Sequence, residues 1–330
     1  MKQIQVGTAR GQAGARTEGV LKVGVLPDAR PVELPVIVMQ GPGDGPVLWL
    51  QGCIHGNEQC GTFVIHRFLA GLDLSKLKGA VIALPVLNLT AFQFNRRTSP
   101  FEIYHGGDLN RVFPGDPGGN FTQQMAHVIF QALVGNADCM VDFHTAHLKE
   151  TRWALFTNLP GAVGKRAERM ARAWGYVPTF PTPPTTLTGA AYMQAATKHG
   201  IPGLIVECGG KGPAFDEAAV ADGAERLRNV ARALGMIEEP VTRHEGVHYV
   251  SDFAWVRGRS GGLYRNLVEP GQRIKKGQVI GKLFDIFGKP RESVRAPEGG
   301  FVLTVNPGPL LISGDTLIHI GLNPRPAPAL

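Results

Sequence analysis

The sequence predicts an α/β domain with a mixed, largely parallel sheet flanked by helices, followed by a smaller all-β module. Two observations carry this prediction. Over the first 240 residues, short apolar runs typical of buried strands alternate with segments of helical periodicity. After about Pro240 the apolar runs are broken by Gly and Pro, and no convincing helical pattern remains. We therefore predict an α/β domain over residues 1–240 and a β-sandwich module over residues 241–330.

The predicted elements of the first part follow one another as strand and helix. Residues 18–51 are predicted to be extended, and a loop rich in Gly and Pro is expected from about residue 89 to 120. The apolar strands are Pro46–Gly52, Ala80–Asn88, Asp138–Phe143 and Ile201–Glu207. The helices are Gln59–Leu72, Phe121–Gly135, Val163–Trp174, Ala190–Lys198 and Glu217–Leu234. In such sheets ligands bind beyond the carboxyl ends of the strands, so the residues at those ends are candidates for a site.

Composition and charge narrow the classes of function. The chain has 330 residues, of which 43% are hydrophobic and 18% charged, as in ordinary globular proteins. The net charge of +7 is scattered along the chain without interleaved aromatic residues, which argues against nucleic-acid binding and suits a small anionic partner. No apolar run reaches the length of a membrane span, and the polar N-terminus lacks the apolar region of a secretory signal. We expect a cytoplasmic protein without membrane contact.

The cysteines are predicted to be structural. Cys53, Cys60, Cys139 and Cys208 form no CxxC pair, and each lies in or beside an apolar run. Buried free thiols in a reducing compartment are the simplest interpretation.

Two histidines and a glutamate follow two of the predicted strands. His55 and Glu58 lie in the loop directly after the strand that ends at Gly52, and His144 follows the strand Asp138–Phe143. Because the carboxyl ends of parallel strands meet at one edge, these side chains are expected to converge. Two histidines and one carboxylate with an open fourth position form a catalytic zinc site. An HxxE pair alone is usually a solvated polar pair, so the prediction depends on this convergence.

A second glutamate is placed to act as a base. Glu207 ends the strand Ile201–Glu207, at the same predicted edge, and metal hydrolases need an unligated carboxylate as general base. Two other histidines compete for ligand roles. His147 lies three residues beyond His144, and His66 is expected on the helix after Glu58, where a packed or surface role is the simpler interpretation.

The loop before residue 120 supplies further charged and polar residues. Arg97 precedes Asp108, Asn110 and Arg111 in this loop. An arginine matches a carboxylate with two hydrogen bonds, and an asparagine adds an amide donor. A carboxylate can orient a zinc-bound imidazole through its other ring nitrogen. We expect this cluster to serve substrate binding at the metal edge.

Four motifs together resemble one known family. GCIHGNE, DLNRVFPG, DFHTAH and IVECGG, in this order, resemble the succinylglutamate desuccinylase/aspartoacylase family, a branch of the zinc carboxypeptidase-like fold. The resemblance extends over nearly the whole chain. It implies that His55, Glu58 and His144 bind one Zn²⁺ per chain and that Glu207 activates water on it.

The resemblance also implies roles for the intervening loop. Asn110 and Arg111 would clamp a substrate carboxylate, and Asp108 would orient the first zinc histidine. An arginine in an R-x-x-P stretch would polarise the scissile carbonyl. Arg97 in RTSP fits best, with the adjacent Arg96 left open as the alternative.

The C-terminal stretch resembles a biotinyl/lipoyl-like barrel-sandwich domain, as in that family. Lys289 falls near the spacing of a cofactor-bearing lysine, but its FGKP context favours a plain turn lysine. The module is expected to serve as a wall or lid of the site, or as a contact in a homo-oligomer.

The predicted function is a zinc-dependent deacylase acting on the amide bond of a small N-acylated amino acid. A metallocarboxypeptidase acting on short peptides is the alternative, because the sequence does not show on which side of the scissile bond the clamped carboxylate lies. A non-catalytic binding protein is a third hypothesis, and the intact ligand set with Glu207 argues against it. The acyl group, the amine and the oligomeric state stay open.

Overall fold

The computed structural model of the chain describes residues 2–101, 107–146, 148–209, 211 and 216–328. Its helices are α1 (Cys60–Ala70), α2 (Leu89–Gln93), α3 (Phe121–Asn136), α4 (Gly161–Trp174), α5 (Ala191–His199) and α6 (Glu217–Ala233), with a 3-10 turn at Leu109–Arg111. No helix in these ranges is both long enough and apolar enough to cross a membrane.

The strands fall into the α/β part and the C-terminal part. They are β1 (Gln5–Val6), β2 (Ala9–Arg10), β3 (Ala15–Val25), β4 (Pro31–Gln40), β5 (Gly43–Gln51), β6 (Lys78–Leu84), β7 (Cys139–His144), β8 (Lys149–Glu150), β9 (Trp153–Thr157), β10 (Pro178–Thr182), β11 (Gly203–Glu207), β12 (His248–Tyr249), β13 (Asp252–Arg257), β14 (Gly262–Asn266), β15 (Arg273–Ile274), β16 (Val279–Phe284), β17 (Pro290–Arg295), β18 (Gly300–Val305), β19 (Leu310–Leu311), β20 (Thr316–Leu322) and β21 (Arg325–Pro326).

Ten of these strands form one mixed sheet in the order β21-β12-β10-β9-β11-β7-β5-β6-β4-β3. The pairs β12–β10, β10–β9, β11–β7, β7–β5 and β5–β6 are parallel. The pairs β21–β12, β9–β11, β6–β4 and β4–β3 are antiparallel. The predicted mixed α/β sheet is confirmed, although parallel pairs only slightly outnumber antiparallel ones.

Helices cover both faces of this sheet. Successive strand residues point to opposite faces, so Leu48 packs toward α1, α4 and α6, while Trp49 packs toward α3 and α5. Local sequence sets the ends of several helices. Asn120 caps α3 by accepting a hydrogen bond from the Gln123 N–H, and α5 ends at Gly200 with a φ of 67°. The predicted helices are all present, with ends that differ by a few residues.

Two short elements differ from the prediction. The segment expected to be a loop begins with α2, whose N-terminal residue is capped by the Asn88 side chain. Strands β9 and β10 were not predicted, and both are almost entirely buried. The cysteine prediction is confirmed, because all four thiols are free and buried.

The C-terminal residues form two antiparallel sheets. One has the order β13-β20-β18-β15 and the other β17-β16-β14-β19. They share a core whose most buried members include Ile280, Leu283, Val302 and Ile318. Lys289 lies in the turn between β16 and β17, where its backbone N–H donates to the Asp285 carboxylate at 2.9 Å.

Strand pairs cross the division predicted at residue 240. β12 and β21 extend the large sheet beyond β10, and β8, from the α/β part, pairs with β18 of the C-terminal sheet. The division itself stays a prediction. The crossings show that the two parts are hydrogen-bonded to each other through backbone ladders.

Candidate active site

The predicted metal ligands and base lie at one edge of the large sheet. His55 and Glu58 occupy the loop after β5, His144 is the last residue of β7, and Glu207 is the last residue of β11. β7 lies between β5 and β11, and Glu207 is the register partner of His144. Register partners point to the same face of a sheet, so their side chains are neighbours.

His55, Glu58 and His144 form one buried cluster. Nδ1 of His55 lies 2.8 Å from one Glu58 oxygen, and Nδ1 of His144 lies 2.9 Å from the other. One ligand atom from each residue lies within 4.8 Å of the others. The His55 contact lacks hydrogen-bond geometry, so this buried Nδ1 has no hydrogen-bond partner in the described structure. A buried nitrogen rarely lacks a hydrogen-bond partner, so this Nδ1 is available to bind another group. Two histidines and one carboxylate are a set of ligands that fits a zinc ion.

The loop that carries His55 and Glu58 has an unusual backbone. Cys53 adopts a φ of 50°, which is rare outside glycine, and its thiol packs 3.2 Å from the Thr62 hydroxyl. Gly56 lies directly against α2, where a Cβ atom would come within 2.1 Å of the Phe92 nitrogen. The loop therefore needs glycine between His55 and Glu58, because α2 leaves no room for a side chain at this position.

A carboxylate lies close to the Nε2 atom of each of the two histidines. Nε2 of His55 lies 3.1 Å from Asp108, as the family resemblance implied. Nε2 of His144 lies 3.3 Å from Asp142, which is fully buried. The contact with Asp108 has hydrogen-bond geometry, so it can keep the His55 proton on Nε2 and leave Nδ1 available to a metal. Asp142 was missed by the sequence analysis, although its position two residues before His144 on a strand places both side chains on one face.

The structure brings Arg97, and not Arg96, to this cluster. The Arg97 guanidinium contacts Glu58 and Asp108, each at 3.1 Å, whereas Arg96 is exposed and does not line the cavity. Arg97 thereby holds the loop of Asp108 against the ligand loop while its side chain stays 39% exposed.

Asn110 and Arg111 also line the cavity. The Asn110 amide nitrogen lies 3.4 Å from Nε2 of His144, so this side chain packs against the ligand cluster. Arg111 is exposed, and its guanidinium has no ion pair in the described part of the chain. The guanidinium is therefore the group better placed to meet a substrate carboxylate.

Burial and neighbouring charges set the protonation of the carboxyl groups. Burial raises the pKa of Glu207 to about 7, against the opposing effect of His144, and its Oε2 has no hydrogen-bond partner among the described residues. Burial alone would raise the pKa of Glu58, but the charge of the neighbouring His55 and the hydrogen bond with His144 outweigh burial and lower the pKa of Glu58. Glu58 is thus held as a charged carboxylate, while Glu207 can both take and release a proton near neutral pH.

These residues open into one cavity of about 490 Å³, within the range of small-molecule sites. Its other side is formed by aromatic residues of β9, β10, β13 and β20. We call this set the aromatic wall, and its members are Trp153, Phe180, Phe253, Trp255 and His319. The sequence analysis did not find it.

Of the competing histidines, His66 is exposed on α1 and lies outside the cavity. His147 lies outside the described residues.

Comparison with known proteins decides the family. The model of the succinylglutamate desuccinylase/aspartoacylase catalytic domain matches residues 44–234, more than half of the chain. The chain belongs to the succinylglutamate desuccinylase/aspartoacylase family. The matched range contains all eight site residues that the sequence analysis proposed for this family member.

Similar proteins of this family include an enzyme and two crystal structures. The N-alpha-acetyl-L-2,4-diaminobutyric acid deacetylase of Halomonas elongata is 28% identical over 264 residues, covering 77% of this chain and 75% of the relative. The product-bound ectoine utilization protein EutE (DoeB) of Ruegeria pomeroyi matches with a TM-score of 0.81 and 26% identity, covering 94% and 95% of the two chains.

The second structure is a succinylglutamate desuccinylase/aspartoacylase from Rhodobacter sphaeroides. It matches with a TM-score of 0.81 and 26% identity, covering 92% of this chain and 95% of that one. This member of the succinylglutamate desuccinylase/aspartoacylase family thus has deacylases of amide bonds among its relatives.

Proposed function

We propose that this chain is a zinc-dependent amidohydrolase that removes the acyl group from a small N-acylated amino acid. One Zn²⁺ per chain would be held by His55, Glu58 and His144. The observation that carries the proposal is the convergence of these ligand atoms within 4.8 Å, at the sheet edge where Glu207 ends the adjacent strand. The deacetylase from Halomonas elongata supports the reaction class.

The ligand set agrees with the chemistry required. Two imidazoles and one carboxylate leave a position open for water and substrate, which is the arrangement of catalytic zinc sites. When bound, zinc supplies a Lewis acid that makes water more acidic and polarises a carbonyl oxygen. The hydrogen bond with Asp108 would keep the His55 proton on Nε2 and leave Nδ1 for the ion. The Asp142 carboxylate, 3.3 Å from Nε2 of His144, is proposed to favour the same tautomer there through its charge.

Glu207 is the proposed general base and acid. Its carboxylate takes a proton from the attacking water, and the resulting carboxyl gives that proton to the nitrogen of the leaving amine. Burial prepares it for this exchange by raising its pKa to about 7. The C–N bond breaks as the N–H bond forms, so a carboxylic acid and a free amine result.

Arginine side chains are proposed to hold the charges of the substrate. Arg97, which is partly exposed in the cavity, is placed to donate to the carbonyl oxygen as it gains negative charge. A donor in this role contributes about 3 kcal/mol in well-studied hydrolases. Arg111 is the proposed clamp for the substrate carboxylate, with Asn110 beside it.

The proposal extends to the rest of the molecule. We propose that the two C-terminal sheets are a biotinyl/lipoyl-like barrel-sandwich domain that walls the site. A cytoplasmic location and a homo-oligomer stay predictions.

A substrate panel tests the reaction class. The purified protein is offered N-acetyl and N-succinyl amino acids and, separately, dipeptides, with amine release measured after chelator treatment and after zinc is restored. We expect hydrolysis of N-acyl amino acids that the chelator abolishes and zinc restores. Hydrolysis of dipeptides alone would favour the carboxypeptidase, and hydrolysis that survives complete metal removal would overturn the metal site.

Two variants separate metal binding from catalysis. Glu207→Gln is expected to keep stoichiometric zinc and lose turnover, whereas His55→Ala is expected to lose zinc as well. His66→Ala is the matched histidine control, because His66 is exposed on α1 outside the cavity. Zinc content by elemental analysis is measured beside activity, and full turnover by Glu207→Gln would disprove the assignment of the base.

A further inference from the structure

The row of catalytic side chains continues into the aromatic wall. Glu207 is the register partner of His144 on one side and of Trp153 on the other. Register partners share a face, so the side chains of His144, Glu207 and Trp153 follow one another across β7, β11 and β9. The antiparallel direction of β9 matters here, because it puts the first residue of that strand at the edge where β7 and β11 end. The wall therefore begins directly beside the proposed base.

The C-terminal sheet completes the wall. Trp255 and His319 are register partners on β13 and β20, and their rings stack at 3.7 Å with an angle of 8°. The Phe253 ring lies 5.6 Å from Trp153, 4.5 Å from Phe180 and 4.9 Å from His319, tilted or edge-on in each case. The rings thus form a continuous aromatic surface rather than a box around one point, and such a surface is extended by a further ring.

The wall lacks the charges that a charged substituent would need. Among the described residues that line the cavity, the carboxylates are Glu58 and Glu207, both assigned to the reaction. Burial lowers the pKa of His319 to about 3, so its imidazole is neutral at physiological pH. A second carboxylate bound against the wall would lose water without gaining an opposite charge, which is unfavourable, and an ammonium group would gain only the faces of the rings.

Three polar atoms interrupt the apolar surface. Nε1 of Trp153, Nε2 of His319 and the hydroxyl of Thr304 are buried and have no hydrogen-bond partner in the ranges that the structure describes. Thr304 is the register partner of His319, so the side chains of these two residues lie on the same face of the C-terminal sheet. Buried polar atoms are ordinarily hydrogen-bonded, so an occupant that combines a ring with a polar substituent would fit them.

We propose that the aromatic wall is a specificity site that binds an aromatic group carried by the acylated substrate. This deepens the proposed deacylase function and rests on it. The substrate class is then an N-acyl amino acid with an aromatic side chain, or one with an aromatic acyl group. Both present the same chemistry to the wall, and the substrates below distinguish them.

Substrate selection is the first test. N-acetyl-L-phenylalanine and N-acetyl-L-tyrosine carry the ring on the amine, and N-benzoylglycine carries it on the acyl group. N-acetyl-L-alanine is the reference, with Nα-acetyl-L-2,4-diaminobutyrate and N-acetyl-L-aspartate as charged substrates. We expect kcat/KM for at least one aromatic substrate to exceed the reference by about tenfold, the equivalent of 1.4 kcal/mol. A preference for either charged substrate over all aromatic ones would overturn the proposal.

Variants of Trp255 are the second test. This residue is 56% exposed, so its replacement is not expected to unfold the protein. Trp255→Ala is expected to reduce the ratio of aromatic to reference kcat/KM about tenfold, and Trp255→Phe is expected to retain most of it. Phe287→Ala is the matched aromatic control, because Phe287 is 81% exposed in the turn between β16 and β17. An unchanged ratio in Trp255→Ala would overturn the proposal.

A binding measurement separates this inference from the deacylase function. Calorimetry with N-acetyl-L-phenylalanine and N-benzoylglycine is performed on zinc-loaded Glu207→Gln, with and without Trp255→Ala. If Trp255→Ala weakens binding about tenfold, the proposed role of the aromatic wall is supported. This holds even if no substrate of the panel is hydrolysed, and in that case only the deacylase function fails. Equal affinities, or no binding of either compound, would refute the wall.

Discussion

Replacement of Asp142 tests whether this buried carboxylate orients His144 for zinc binding. Asp142→Asn removes a buried charge 3.3 Å from Nε2 of His144, and neither Asp142 oxygen has a hydrogen-bond partner in the described structure. Two full charges at this distance interact by about 5 kcal/mol at an effective dielectric constant of about 20. A metal-bound imidazole carries part of a charge, and the amide keeps a dipole. We therefore expect zinc affinity to fall by about 10- to 100-fold, or roughly 1.4–2.7 kcal/mol.

Competition with a fluorescent chelator measures this affinity directly. Asp138→Asn is the matched control, because Asp138 immediately precedes β7, at the end opposite to His144, and accepts a hydrogen bond from the Val47 N–H at 2.8 Å. We expect the control to bind zinc like the parent protein. If Asp142→Asn, folded by circular dichroism, binds zinc within twofold of the parent, Asp142 does not orient His144 and the argument from burial is wrong.

Two further predictions concern the ligand loop and the base. Gly56→Ala is expected to weaken zinc binding, because its Cβ would meet the Phe92 nitrogen at 2.1 Å, while Gly135→Ala, in open space on α3, is expected to leave zinc binding intact. Equal zinc affinities in the two variants would contradict this. Burial raises the pKa of Glu207 from 4.5 to about 7, so the metal-free protein should lose stability as pH rises through that interval, by on the order of 3 kcal/mol. The free energy of unfolding of Glu207→Gln, measured with urea, should not show this loss. Identical pH profiles of stability for the parent protein and Glu207→Gln would contradict the raised pKa of Glu207.

The sheet edge that carries His144 and Glu207 could be predicted because it depends on local sequence patterns. Apolar runs mark the buried strands β5, β7 and β11, and parallel pairing brings their carboxyl ends together. His144 and Glu207 could thus be placed at one edge of the sheet without knowledge of the strand order. Asp142 was missed for a different reason. An aspartate inside an apolar strand gives the same sequence pattern whether or not it contacts a histidine on the same face.

The aromatic wall was beyond reach of the same reasoning. Its residues are brought together by the reversal of β9 relative to β11 and by the approach of β13 and β20 to the large sheet. Trp153 and His319 lie far apart along the chain, and neither the order of strands nor their direction follows from local periodicity. The alternation of Phe253 and Trp255 on one strand marks a shared face, but it does not tell which cavity that face lines.

The exchange of strands between the two parts of the chain limits which parts of this protein can be replaced as a unit. β12 and β21 complete the edge of the large sheet, and β8 pairs with β18 as a strand of the C-terminal sheet. A recombination event that replaced everything after residue 240 would remove the strands that cover β10 and leave unpaired backbone there. A foreign C-terminal half would therefore have to supply these strand pairings as well as its own share of the aromatic wall, whereas a point substitution in the wall leaves the pairings intact.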